Sequence, residues 1–306
     1  MHEFLQTIIN GLETGFLYAL IALGYSMVYG VLKLLNFAHG DVYAVGAYIG
    51  YYVLQAFGGP TALSVPVPVL ILGMFVAAAL GCGLLGVIIE RFAYRPLRDA
   101  PRIAPLITAL GVSFILENSL LLLFGGFTKS YSTNSFINVN TGGINIGSIN
   151  IDPVQITIFV VSILMMYALM QIVDRTTLGK SMRAVASDRE AAEMLGINVD
   201  RVISYTFFIG SAMAGVAGVM SGLAFNQISA TIGFLAGLKA FTAAVVGGIG
   251  SIPGAMIGGL FIGLCEAFAS TYISSKFSDL IVFGILIVVM LVRPTGLFAQ
   301  PALQKV

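Results

Sequence analysis

Residues 35–41 read LNFAHGD, and they are flanked by ALIALGYSMVYGVLKL (19–34) and VYAVGAYIGYYVL (42–54). Three polar side chains, Asn36, His39 and Asp41, therefore interrupt apolar sequence long enough to fill a bilayer. A transmembrane helix needs about 20 consecutive apolar residues. Such runs recur along the chain, near 5–31, 36–57, 66–89, 102–125, 153–173, 201–225, 252–273 and 279–297. A shorter one, 234–248, falls below spanning length. The reading is an all-α polytopic membrane protein: about eight transmembrane helices plus a re-entrant or broken segment. Residues 1–306 then form one transmembrane domain.

The composition agrees. Of 306 residues, 58% are hydrophobic and 9% charged, with a mean hydropathy of +0.97. Soluble domains carry roughly a quarter charged residues. A net charge of +1 argues against nucleic-acid binding. Cys82 and Cys265 sit in apolar runs without metal-ligand spacing and point to neither a metal site nor a disulfide framework. The N-terminal MHEFLQTIING lacks a basic n-region and reads as part of the mature chain.

Basic residues mark the cytoplasmic side. The loop ERFAYRPLRDAPR (90–102) holds Arg91, Arg95, Arg98 and Arg102, and the loop 174–201 holds Arg175, Lys180, Arg183, Arg189 and Arg201. The positive-inside rule places both in the cytoplasm. The segment between them, 126–152, is rich in Asn, Ser, Thr and Gly with one lysine, and is expected outside as a polar cap or short β-like excursion. Counting back puts the N-terminus outside.

Within the second basic loop, SDREAAEMLG (187–196) reads as a short helix. Ser187 and Glu190 have capping-box spacing, and Gly196 can end the helix. So short a helix needs a surface to pack on. Either its own bundle or a groove on another subunit would supply one. Upstream, TTLGKS (176–181) ends like a Walker A motif, but Asp174 stands where its first glycine belongs. The chain is read as holding no cofactor of its own, with any ATP bound by partner subunits.

Small residues recur every fourth position at Gly210, Ala214, Gly218 and Gly222, at Gly254 and Gly258, and at Gly259 and Gly263. That spacing lets helices pack closely in lipid. The run KAFTAAVVGGIGSIPGAMIGG (239–259) contains Gly248 and Gly250 in a stretch that cannot continue a helix. It reads as half-helix, break and helix beside a transport path, or as an ordinary turn between spans.

In LNFAHGD, Gly40 permits a break, Asp41 can cap the following helix, and Asn36 and His39 can satisfy nearby backbone or line a cavity. Glu117, in GVSFILENSLLLLF, and Glu266 also interrupt spans and should face a neighbour or a path. The candidate pathway residues are Asn36, His39, Asp41, Glu117, Gly248 and Gly250.

Four stretches in order, LNFAHGDVYAVGAY, ERFAYRPLR, EAAEMLGIN and KAFTAAVVGGIGSIPGAMIGG, closely resemble bacterial high-affinity branched-chain amino-acid ABC transporter permeases, the first of that system's two permease subunits. The segment around 127–152 does not share the resemblance. The resemblance implies an inner-membrane importer subunit, and with neither H-E-x-x-H nor G-x-S-x-G nor a nucleophile with a base in the sequence, the chain reads as no enzyme. Its implied partners are membrane lipid, a homologous second permease, two cytoplasmic ATP-binding subunits and a periplasmic amino-acid binding protein. It also implies that Glu190, Ala191, Ala192 and Gly196 form the contact to the ATPase, although the downstream Leu-Pro of that pattern is missing here. A stand-alone channel or secondary carrier for a small polar solute such as urea is the competing reading from the residues alone.

Overall fold

The structure is a computed structural model describing residues 2–59, 63–98, 100, 101, 103–133, 137, 143–146 and 149–298. Arg102 and parts of 126–152 therefore lie outside the described residues. Helices dominate: α1 (His2–Leu32), α2 (His39–Ala56), α3 (Val67–Ile89), α4 (Ile103–Phe124), α5 (Pro153–Arg175), α6 (Thr177–Ser187), α7 (Arg189–Met194), α8 (Val199–Phe225), α9 (Ile232–Gly247), α10 (Ile252–Ala269) and α11 (Ser278–Val292). Every apolar run read from the sequence is a helix, and the short one becomes α9.

Six helical runs among the described residues are long and apolar enough to cross a membrane, the last being Ile252–Val292. Those 41 residues would reach about 60 Å as one straight helix, twice the hydrocarbon thickness. Extended backbone at Ser274 (φ −176°) divides the run into α10 and α11, which pack on each other. The chain is a multi-pass membrane protein.

Burial separates inner from outer helices. In the apolar windows of α1 and α8, 72% and 78% of residues are buried, against 17% in α4. The outer helices turn Leu72, Leu84, Ile115, Leu122, Leu164 and Leu291 outward, as lipid contact requires. Glycine sets the inner packing, because burial of apolar area drives little association in lipid. Gly210 meets Gly24 of α1, Gly218 meets the Tyr43 carbonyl of α2, and Gly259 and Gly263 take the backbone of α1 at Ala19 and Gly15. The small-residue seams thus lie within this chain.

The same order of elements occurs twice. Both α3 and α10 run into a π-turn and then a 3-10 turn, Glu90–Tyr94 with Arg95–Leu97 and Ser270–Ser274 with Ser275–Phe277. The first helix of each half packs against the third of the other, α1 on α10 and α8 on α3. Repeats of this kind underlie many transporter folds.

The two ends of the bundle differ. At one, Arg95 and Arg98 bind Asp200, so both basic loops meet there. At the other, Gln6 Nε2 donates to the Asn150 carbonyl (3.2 Å), joining the start of α1 to the polar segment. That segment is β-like where described. Strand β1 (Lys129–Ser130) pairs antiparallel with β4 (Gln227–Ile228), and β2 (Ile144–Ile146) with β3 (Ile149–Ile151).

Candidate functional site

The break at LNFAHGD lies inside the bundle. Past α1 the chain turns back, and α2 begins with His39 against Gly24 and Tyr25, about 12 Å along α1 from its end at Leu32. Helix α9 also begins within the bundle, and the first turns of the two helices cross. Gly40 packs on the Gly233 carbonyl and the Gly237 backbone, and any side chain at Gly40 would collide with both. Glycine is required there because two backbones touch.

At this crossing Asn36, His39 and Asp41 are each 1–2% exposed. Asn36 Oδ1 accepts from the Tyr94 hydroxyl at 2.8 Å, while its Nδ2 is unpartnered. His39 packs edge-on against Tyr25, ring centroids 4.9 Å apart. The Ile21 carbonyl faces its imidazole, but neither ring nitrogen is hydrogen-bonded. Asp41 Oδ2 accepts from the Ser113 hydroxyl of α4, and Oδ1, beside Gly233, has no donor. Most buried polar atoms find a partner, so four unpartnered atoms on three neighbouring side chains need a reason.

Asp41 is not the cap of α2. Ala38 holds that position, and Asp41 sits within the first turn. Glu117 lies one turn beyond Ser113 on α4, within electrostatic range of Asp41. The crossing therefore gathers Asn36, His39 and Asp41 directly and Glu117 at its edge.

Gly248 and Gly250 are elsewhere. Helix α9 ends at Gly247, and Ser251 caps α10 by accepting from the Gly254 N–H (3.2 Å). Between them runs a helix–helix turn at the basic end, with left-handed φ values of 107° and 88° at the two glycines. Residues 239–259 are thus the end of the short helix α9, a turn through Gly248 and Gly250, and the start of α10. The chain beyond α11 covers it, Leu297 and Phe298 donating to the carbonyls of Val246 and Gly247 at 2.9 and 3.2 Å. Gly250 also shares a cleft with Ser26, Met182 and Arg183, so it faces α6.

The second basic loop is compact. TTLGKS opens α6, its Gly179 N–H bonded to Thr176 Oγ1 at 3.2 Å, an arrangement that cradles no phosphate. Helix α7 is capped by Asp188, which accepts from the Ala191 N–H at 3.1 Å. This corrects the Ser187 capping box: Ser187 is the last residue of α6. Gly196 ends α7 with φ +82°. Ala192 is buried and Ala191 half-buried, whereas Glu190 and Gly196 are exposed. Met194 and Leu195 are 83% and 80% exposed. Part of the apolar side of α7 thus packs on its own bundle and part points away.

The chain matches, over residues 7–291, the family described as branched-chain amino acid transport system / permease component. It belongs to that family. The permease is 44% identical over 306 residues to the high-affinity branched-chain amino acid transport system permease protein BraD of Pseudomonas aeruginosa, covering 100% of this chain and 99% of that protein. It is also 44% identical over 308 residues to LivH of Escherichia coli K12, named as the same kind of permease (99% and 98% covered). To the probable branched-chain amino acid transport permease protein LivH of Methanocaldococcus jannaschii it is 30% identical over 296 residues (92% and 88% covered).

Sequence reading missed several polar residues of the permease. Tyr25, Tyr94 and Ser113 surround the crossing from three other helices, and hydroxyl-bearing residues in spans are too common to single out. Lys239 was visible as a charge inside an apolar run. Its partners Glu266 and Asp279 come from α10 and α11, and only the fold brings them together.

Proposed function

We propose that this chain is one permease subunit, residues 1–306, of an ABC importer that moves branched-chain or other neutral amino acids inward across the bacterial inner membrane. The end-to-end match to permeases named for that transport carries the reading. ATP is hydrolysed by two cytoplasmic subunits, a second homologous permease completes the membrane unit, and a periplasmic binding protein delivers substrate. The chain itself holds no cofactor and does no covalent chemistry.

The basic end is then cytoplasmic. Helix α7 docks on an ATPase through Glu190, Ala191, Gly196 and the exposed Met194 and Leu195, while buried Ala192 fixes it to the bundle. From Gly196 the chain passes directly into α8, which packs against α1, α2 and α3. Movement of the ATPase dimer therefore reaches the crossing of α2 and α9 through one short connection. Asn36, His39 and Asp41 line the path there, with Glu117 beside them, and their unpartnered atoms gain partners when the crossing parts. Gly248 and Gly250 act at the coupling face and not on substrate.

Co-expression of the tagged chain with its genomic neighbours, followed by purification in mild detergent, tests this. An ATPase co-purifies with wild type and is lost with Glu190→Lys, and the wild-type complex in proteoliposomes takes up leucine with ATP. A chain that purifies alone and conducts solute without ATP overturns the proposal.

A further inference from the structure

A cavity of about 370 Å³ opens at the end opposite the basic loops, bounded by the 225–231 connection and by α1, α2, α9 and α10. Its volume falls within the roughly 300–1,000 Å³ of small-molecule sites. Leu17, Ile21 and Leu235 give it an apolar wall, and Tyr18, Lys239 and Glu266 a charged one. It leads toward the crossing of α2 and α9: Ile21 lines it, and so does Ile232, the neighbour of Gly233 that touches Asp41.

The charged wall is a linked set. Lys239 Nζ lies 2.6 Å from Glu266 Oε1 and 2.7 Å from Asp279 Oδ1. The Tyr18 hydroxyl donates to Glu266 Oε2 at 2.7 Å. The Lys239 and Glu266 side chains are 11% and 17% exposed, Asp279 48%. Lys239 stands about 10 Å into α9, where an unpaired charge on a membrane helix costs about 2.5–3.5 kcal/mol. A simple staple would need one lysine and one acid turned away from open space. Here both members face the cavity, and each has a second holder: Asp279 for Lys239, Tyr18 for Glu266. The pair can separate toward the cavity without either group being stranded.

We infer that Lys239 and Glu266 form a receiving site for a zwitterionic amino-acid head group, the internal ion pair exchanging for two pairs with the substrate. Lys239 takes the carboxylate and Glu266 the ammonium, while the aliphatic side chain lies on Leu17, Ile21 and Leu235. The exchange conserves charge, so the site accepts a neutral amino acid without changing the net charge of the set. This inference rests on the amino-acid importer reading above and adds to it where on the chain the substrate is held.

The test uses the assembled transporter in proteoliposomes, with leucine-loaded binding protein and ATP, comparing wild type with the double variant Lys239→Met/Glu266→Met. Replacing a buried ion pair by apolar residues of similar volume is often neutral or stabilising for the fold, and Asp279, 48% exposed, is left to solvent. The expected result is co-purification of all subunits as in wild type and leucine uptake reduced about tenfold or more, since both charge contacts to the substrate are gone and a single one is worth about tenfold. Uptake within twofold of wild type overturns the inference and leaves the pair a structural staple. Should the double variant fail to assemble, Glu266→Gln, which retains the volume and the Tyr18 contact, is judged by the same criterion. A wild-type complex that carries no amino acid refutes the importer reading itself, whereas wild-type transport with an indifferent double variant refutes this site alone.

Discussion

At the scale of single residues, the contact of His39 with Gly24 bears most directly on the crossing. A methyl group at Gly24 would overlap the imidazole, with the Gly210 carbonyl at 3.1 Å on the other side. Overpacking of this kind costs about 1–3 kcal/mol. Gly24→Ala should lower the thermal midpoint of the purified chain, and adding His39→Ala should restore most of the loss, since neighbours sharing one volume are not additive. A Gly24→Ala effect undiminished in the double variant would show that the imidazole is not what fills that space. The sequence made Asn36, His39 and Asp41 conspicuous because polar groups flanked by apolar spans are costly. It did not reveal which atoms lack partners, since Tyr94 and Ser113 come from elements 58 and 72 residues away in sequence.

At the scale of elements, α7 offers a clean comparison. Asp188 caps it, while Ser187 belongs to α6. Asp188→Ala should cost about 1 kcal/mol and weaken ATPase co-purification. Ser187→Ala, an exposed change outside the cap, should stay within about 0.5 kcal/mol and leave co-purification intact. The reverse order would reinstate Ser187 as the cap. The helix itself was legible from its acidic first turn and Gly196, but the cap position differed by one residue because α6 runs without a gap into Ser187. The turn at 248–251 was legible as a break and not as to its depth. Its glycines exclude a helix wherever they stand, and only the neighbours Ser26, Gly30 and Arg183 locate it.

At the scale of the whole molecule, the two halves are tied at the basic end by a buried ionic cluster. Glu90 accepts from Arg98 and from Ser204 Oγ (2.8 Å), and Arg98 also meets Asp200 at 2.5 Å. The Arg98 and Glu90 side chains are 5% and 1% exposed. Arg98→Met should therefore destabilise the chain by about 3–5 kcal/mol by stranding Glu90. Arg95→Ala, at a contact nearly half exposed on both sides, should cost no more than about 1 kcal/mol. Denaturation in detergent measures both, and equal effects would mean that Glu90 is reached by solvent. Span positions were readable because each span satisfies lipid by its own composition. The repeated order of elements was not, because the halves share packing roles and not residues: ERFAY and STYIS form the corresponding π-turns with only small likeness.

On the proposed reading, this chain opens an amino-acid path when partner subunits hydrolyse ATP, and the α2–α9 crossing is the element that parts. The decisive measurement is leucine uptake by the assembled transporter in proteoliposomes, for wild type and His39→Ala, with and without enclosed ATP. Predicted is ATP-dependent uptake by wild type, with uptake reduced in a His39→Ala complex that still contains every subunit. Uptake by wild type without ATP, or full uptake by His39→Ala, would contradict it.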